Sequence, residues 1–110
     1  MKKRLGKYHN RKVEIDGFRF DSQKEGNRYL ILKRMEQEGK IKDLQRQVSF
    51  EVVPKSKGER AVKYVADFTY WDFSLSSLVC EDVKGYRTEL YNIKRKLFKI
   101  RYPDYIFKET

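Results

Sequence analysis

Two acids and a lysine stand where a small β-rich chain would be expected to place core side chains. The stretch "YVADFTYW" carries Asp67, and "LVCEDVKG" carries Asp82 and Lys84. Antiparallel strands joined by a tight turn pair residues whose numbers have a constant sum. With the turn centred on Ser74 and Leu75 that sum is 149, which sets Asp67 opposite Asp82 with β-carbons roughly 4.5–5.5 Å apart. Side chains alternate along a strand, so Lys84 shares the face of Asp82 while Glu81 and Val83 point away. The same register gathers Ala66, Phe68, Tyr70, Val79 and Val83 on the other face as a core, and a slip of one residue would invert the set.

Two opposed carboxylates repel each other unless one is protonated, both are solvated or a cation sits between them. Oxygen ligands at this spacing suit Mg2+ or Mn2+, with Asp67, Asp82 and the backbone of Val83 as candidate ligands. An ammonium beside such an ion completes the requirements of phosphodiester hydrolysis: an activated water, and positive charge for the developing negative charge. The D-x-K triplet by itself reads equally as a surface ion pair. Asp67, the strand setting and the charge of the chain favour a catalytic site.

That charge is +10 over 110 residues, which points to a polyanionic partner, most simply DNA; solubility is the plainer alternative. It is unevenly spread. Residues 1–12 hold six basic residues and no acid, and residues 84–101 hold seven basic residues and one acid, Glu89. Aromatic residues make up 15% of the chain, enough with the aliphatics for one packed domain. The lone cysteine, Cys80, excludes an internal disulfide and points to a reducing, cytoplasmic location. The lone histidine, His9, argues against His-rich zinc sites and Ser/His/Asp triads. No apolar run reaches membrane-spanning length, and the basic start lacks the hydrophobic stretch of a signal peptide.

The elements that must position these residues follow from local pattern. A basic arm, residues 1–12, precedes a single domain, residues 13–110. "KVEIDGFRF" predicts a hairpin turning at Asp16-Gly17. "DSQKEGNRYLILKRMEQEGKI" predicts a helix with a Ser22/Glu25 capping box and an apolar face of Tyr29, Leu32 and Met35 with Leu30 and Ile31. Gly39 ends it, and Gly26 in its first turn should weaken it by about 1 kcal/mol. Strands follow at "DLQRQVSFEVV", "VKYVADFTYWD" and "LVCEDVK". Thr88 caps a second helix, "ELYNIKRKLFKIRY", whose Leu90, Ile93, Leu97 and Ile100 recur at helical spacing. Pro103 stops it before a short last strand, "DYIFKE". The result is an α/β fold: hairpin, helix, three antiparallel strands, helix and strand, a mixed central sheet flanked by helices.

Asp67, Asp82 and Lys84, in this order of elements, resemble the PD-(D/E)xK nuclease superfamily, with its restriction-endonuclease-like core. The stretches "FDSQKE", "LQRQVSFE", "YVADFTY", "EDVKG" and "KRKLF" are similar to a group of short phage and prophage proteins assigned to that superfamily. They also resemble the catalytic domain of the endonuclease subunit of some cut-and-paste transposases. The likeness covers about residues 7–108. It implies a Mg2+-dependent endodeoxyribonuclease in which Asp67, Asp82 and Lys84 are catalytic, joined by Glu25 from the preceding helix. Ala66 stands where the motif name has proline, and Glu81 beside Asp82 leaves open which acid binds metal; the alternation with Lys84 favours Asp82. Glu25 has two readings, a cap or a metal ligand. Gln47 recurs in similar proteins and is a candidate for orienting the attacking water, or else a polar residue of a strand edge.

Candidate phosphate contacts are Arg87, Lys94, Arg95, Lys96 and Lys99 about the second helix, with Lys55, Lys57 and Arg60 in the connection "PKSKGER". Nothing reads bases, so weak sequence preference is expected, with branched DNA or a Holliday junction as an open alternative. A junction resolvase requires a homodimer and a nicking enzyme does not; no clear heptad or flat apolar patch decides between them. The phage likeness leaves replication or recombination proteins as candidate partners. The rival reading is a nucleic-acid-binding module without catalysis, in which aromatics stack on bases. "KGYRTELY" begins like an RNA-binding motif but departs from it at Arg87 and Thr88.

Overall fold

A four-stranded mixed sheet with one helix on each face organises the chain. The computed structural model describes residues 12–83 and 87–110; the basic arm up to residue 11 and the candidate Lys84 lie outside them. Strands β1 (Val13–Ile15) and β2 (Phe18–Phe20) form a hairpin, followed by helix α1 (Gln23–Gln37) and strands β3 (Ile41–Val53), β4 (Val62–Asp72) and β5 (Ser77–Asp82). Helix α2 (Glu89–Arg101) then leads to β6 (Tyr105–Glu109). Sheet order is β3-β4-β5-β6, with β3, β4 and β5 antiparallel and β6 parallel to β5.

Local chemistry accounts for the boundaries. The β1–β2 turn needs two left-handed residues, which Asp16 (φ 53°) and Gly17 (φ 81°) supply. Ser22 accepts from the Glu25 amide (3.1 Å) to start α1, and Thr88 accepts from the Tyr91 amide (3.0 Å) to start α2. Gly26 has a use that outweighs its poor helix propensity. A β-carbon there would lie 2.9 Å from both Ile15 Cδ1 and Val13 Cγ2, so any larger residue would force the hairpin side chains to shift. Between β4 and β5 the Asp72 carboxylate accepts from the Ser74 amide (2.9 Å), the Ser74 hydroxyl (2.7 Å) and the Leu75 amide (3.2 Å). These bonds hold its carboxyl below the usual range and pin the turn where the sequence reading centred it.

Two cores flank the sheet. On one face Tyr29 and Leu32 of α1 pack with Phe20, Ile41, Phe68, Tyr70 and Val79. On the other, Tyr91 and Phe98 of α2 pack with Phe50, Val52, Tyr64, Ala66 and Cys80. Neighbours Val79 and Cys80 fall into different cores, as alternation on β5 requires.

Three expectations are overturned. Ala66 does not join Phe68 and Tyr70; it packs under α2, although all three share a parity on β4. The change of face falls where Gln47 of β3, with φ 53° inside a strand, lies across from Asp67. The strands stay in register across this point, Arg46 with Phe68 and Val48 with Ala66, so no residue is inserted there; the change of face coincides with the left-handed Gln47. On α2 the aliphatic series is not the buried face: Leu90 (60%), Ile93 (55%) and Ile100 (77%) are exposed. The aromatics Tyr91 and Phe98, seven residues apart, are buried instead. Phe98 alone meets the rings of Phe50, Tyr64, Tyr102, Tyr105 and Phe107, and stacked or edge-on rings fill that layer better than aliphatics would. Likewise Leu30 and Ile31 of α1 face solvent. No helix among the described residues is long and apolar enough to cross a membrane.

Candidate functional site

The β4–β5 pairing obeys the constant sum derived above: Phe68 faces Glu81, Tyr70 faces Val79 and Asp72 faces Ser77. One step further along, Asp67 and Asp82 come together. The Val83 amide donates to Asp67 Oδ2 (2.7 Å). The other oxygen, Oδ1, accepts from Gln47 Nε2 (3.3 Å), whose amide also donates to Glu25 Oε2 (3.1 Å). Gln47 thus joins the first turn of α1 to the middle of β4. Its left-handed backbone lies at this join. Glu25, Gln47, Asp67 and Asp82 come from α1, β3, β4 and β5, and Val83 lies just past the end of β5.

The electrostatics are those of like charges held together. Burial, followed by repulsion from Asp82 and Glu25, pushes the Asp67 carboxyl up to about 7 against the opposing pull of the Val83 amide. Glu25 is also raised, by burial first and by the Asp21 charge next, while the Arg46 charge and the Gln47 amide draw it down. Ser22 caps the Glu25 amide, and the Glu25 carboxylate accepts from Gln47. Asp82 is only 3% exposed and its Oδ2 accepts from the Tyr64 hydroxyl. Burial and that bond raise the Tyr64 hydroxyl well above its ordinary value, so it remains a donor. No local signal could have marked Tyr64, which lies 18 residues away on another strand. Cys80 is buried beside this pair, its thiol pushed up to about 12 chiefly by burial, which leaves it a poor nucleophile. Among the described residues no three His, Cys, Asp or Glu side chains stand close enough together to hold a metal ion.

Glu81 belongs elsewhere. It is fully buried on the α1 face, where Arg28 grips it through Nε to Oε2 and Nη2 to Oε1 (3.0 Å). Tyr70 Oη (2.7 Å) and Thr110 Oγ1 (2.9 Å) donate to it as well. With four donors its oxygens are committed to the core, on the face of β5 opposite to Asp82.

The basic candidates divide into two sets. Lys55, Lys57, Arg60, Lys96 and Lys99 are exposed. Arg87 is instead ion-paired to Glu109 (2.6 Å), and half-buried Arg95 donates to Asn92 (3.2 Å) and lies 3.9 Å from Glu109. Lys94 is half-buried on α2.

Fold and site together define a small α/β protein in which two neighbouring carboxylates, Asp67 and Asp82, on central strands are linked through Gln47 to Glu25 in the first turn of a helix. The chain belongs to the family described as "Protein of unknown function (DUF1064)", whose model matches residues 5–109. No curated protein and no solved structure matches it.

Proposed function

We propose that the chain is a metal-dependent DNA endonuclease that hydrolyses phosphodiester bonds with weak sequence preference. The observation that carries this reading is the meeting of half-buried Asp67 with buried Asp82, joined to Glu25 through Gln47. Desolvated carboxylates facing one another are unfavourable unless one holds a proton or a cation sits between them, and oxygen donors of this kind fit a hard divalent cation. Asp67 and Asp82 would hold Mg2+ or Mn2+, which when bound activates water and neutralises phosphate charge. Tyr64 holds Asp82 in orientation from the core, and the Val83 amide does the same for Asp67. Gln47 is exposed at the join and is the group positioned to meet an incoming water. Lys84, two residues beyond Asp82 in the chain, supplies the ammonium in this reading. The restriction-endonuclease-like resemblance and the net charge of +10 support it.

The test is cleavage of linear, supercoiled and four-way-junction DNA with Mg2+, Mn2+ or EDTA. Metal-dependent product is expected, lowered on the order of 10²–10³-fold or more by Asp67→Ala, Asp82→Asn or Lys84→Ala, with DNA binding retained. Binding without product on every substrate and with either metal would instead establish a non-catalytic nucleic-acid-binding module.

A further inference from the structure

Arg46 is the residue whose surroundings the site so far leaves unexplained. It precedes Gln47 on β3 and is half-buried. Its guanidinium carbon lies 4.8 Å from the ring centre of Phe18 and 4.6 Å from that of Phe20. Nη2 donates to the Arg19 carbonyl (3.0 Å), which fixes the plane of the group against the hairpin. Its Nε is buried and has no hydrogen-bond partner among the described residues. Arg28 and Arg95 each reach a carboxylate. Among the described residues none forms an ion pair with Arg46, although its charge is near enough to Glu25 to draw that carboxyl down.

A guanidinium has five N–H donors in a rigid fork, and leaving them unused in a partly buried place is unfavourable. Aromatic faces stabilise the cation without occupying those donors, so the group is held ready rather than satisfied. The ligand such an arrangement takes is a planar or tetrahedral oxyanion. We infer that Arg46 is a phosphate-binding residue, which grips a backbone phosphate of the DNA strand lying at the Glu25–Asp67–Asp82 cluster. The inference rests on the nuclease reading for the identity of the strand. It adds a contact from β3 and the β1–β2 hairpin to those expected from the lysines. The hairpin then has a purpose: Phe18 and Phe20 form the platform for the arginine.

The experiment is metal-free binding of a short DNA duplex in EDTA, measured across a series of salt concentrations for wild type, Arg46→Lys and Arg46→Met. Arg46→Met is expected to weaken binding about tenfold and to reduce the slope of log affinity against log salt by about one, the signature of one lost phosphate contact. Arg46→Lys, which keeps the charge, should restore the slope. A stability defect alone would leave the slope of the folded fraction unchanged. Titrating wild-type protein with inorganic phosphate while following the Arg46 Nε–H by NMR covers the case in which Arg46→Met fails to fold, and a shift of that resonance is expected. An unchanged slope, or a resonance that phosphate leaves in place, overturns the inference. Because no metal or cleavage is involved, absence of catalysis does not sink it. Wild-type cleavage with an unaltered slope in Arg46→Met would sink it alone.

Discussion

Glu81 and Asp82 are adjacent, acidic and buried, yet the strand turns them to opposite faces and into opposite electrostatic surroundings. Glu81 meets a guanidinium, a phenol and a hydroxyl, and every oxygen is answered. Asp82 accepts from the Tyr64 phenol and lies beside another acid, Asp67. The first arrangement belongs to the fold: removing either member breaks a satisfied network. The second is a local conflict that the rest of the structure holds in place, and such conflicts gather where a ligand is to be bound. Burial and residue type are the same in both cases. What differs is the partner, and the partner assigns the role.

The contrast can be broken most forcefully at Arg28. Arg28→Met leaves the Glu81 charge in the core without its cation and should destabilise the protein by about 3–5 kcal/mol, read from urea denaturation. A loss below about 1 kcal/mol would mean that the pair is not the anchor described. The opposite sign is expected at the other acid pair. Asp67→Asn keeps an oxygen for the Val83 amide but removes a half-buried ionisable group beside Asp82, raised to about 7 and so only partly charged at pH 7. Stability at pH 7 should then rise by about 1 kcal/mol while cleavage is lost. A destabilised variant would show that the two carboxylates are already reconciled. The smallest effect sharpens the comparison at α2, where the outward aliphatics contrast with the inward aromatics. Ile100→Lys should change stability by no more than about 0.5 kcal/mol because its side chain is 77% exposed. A loss of several kcal/mol would return Ile100 to the core.

Legibility followed the range of the interaction. Asp16-Gly17, Ser22, Thr88 and the β4–β5 register could be read because turns and caps are made within a few residues. The meeting of Asp67 with Asp82 was legible for the same reason, since one tight turn fixes it. The joining of Glu25 to Asp67 by Gln47 was not, as it depends on a left-handed residue in the middle of β3 that carries no mark in sequence. The helix faces show the same limit. Leu90, Ile93, Leu97 and Ile100 have the spacing of a buried stripe, but the ring layer on β3, β4 and β6 admits Tyr91 and Phe98 instead.

By itself, then, the sequence determined the order of elements, their caps and turns, and which two acids would face each other, because each depends on backbone preferences acting over short separations. Only the tertiary structure decided which acid is neutralised, which face of α2 is buried and where Arg46 rests. Those outcomes depend on partners as much as 53 residues away in the chain, and a buried charge takes its character from whatever the fold sets beside it.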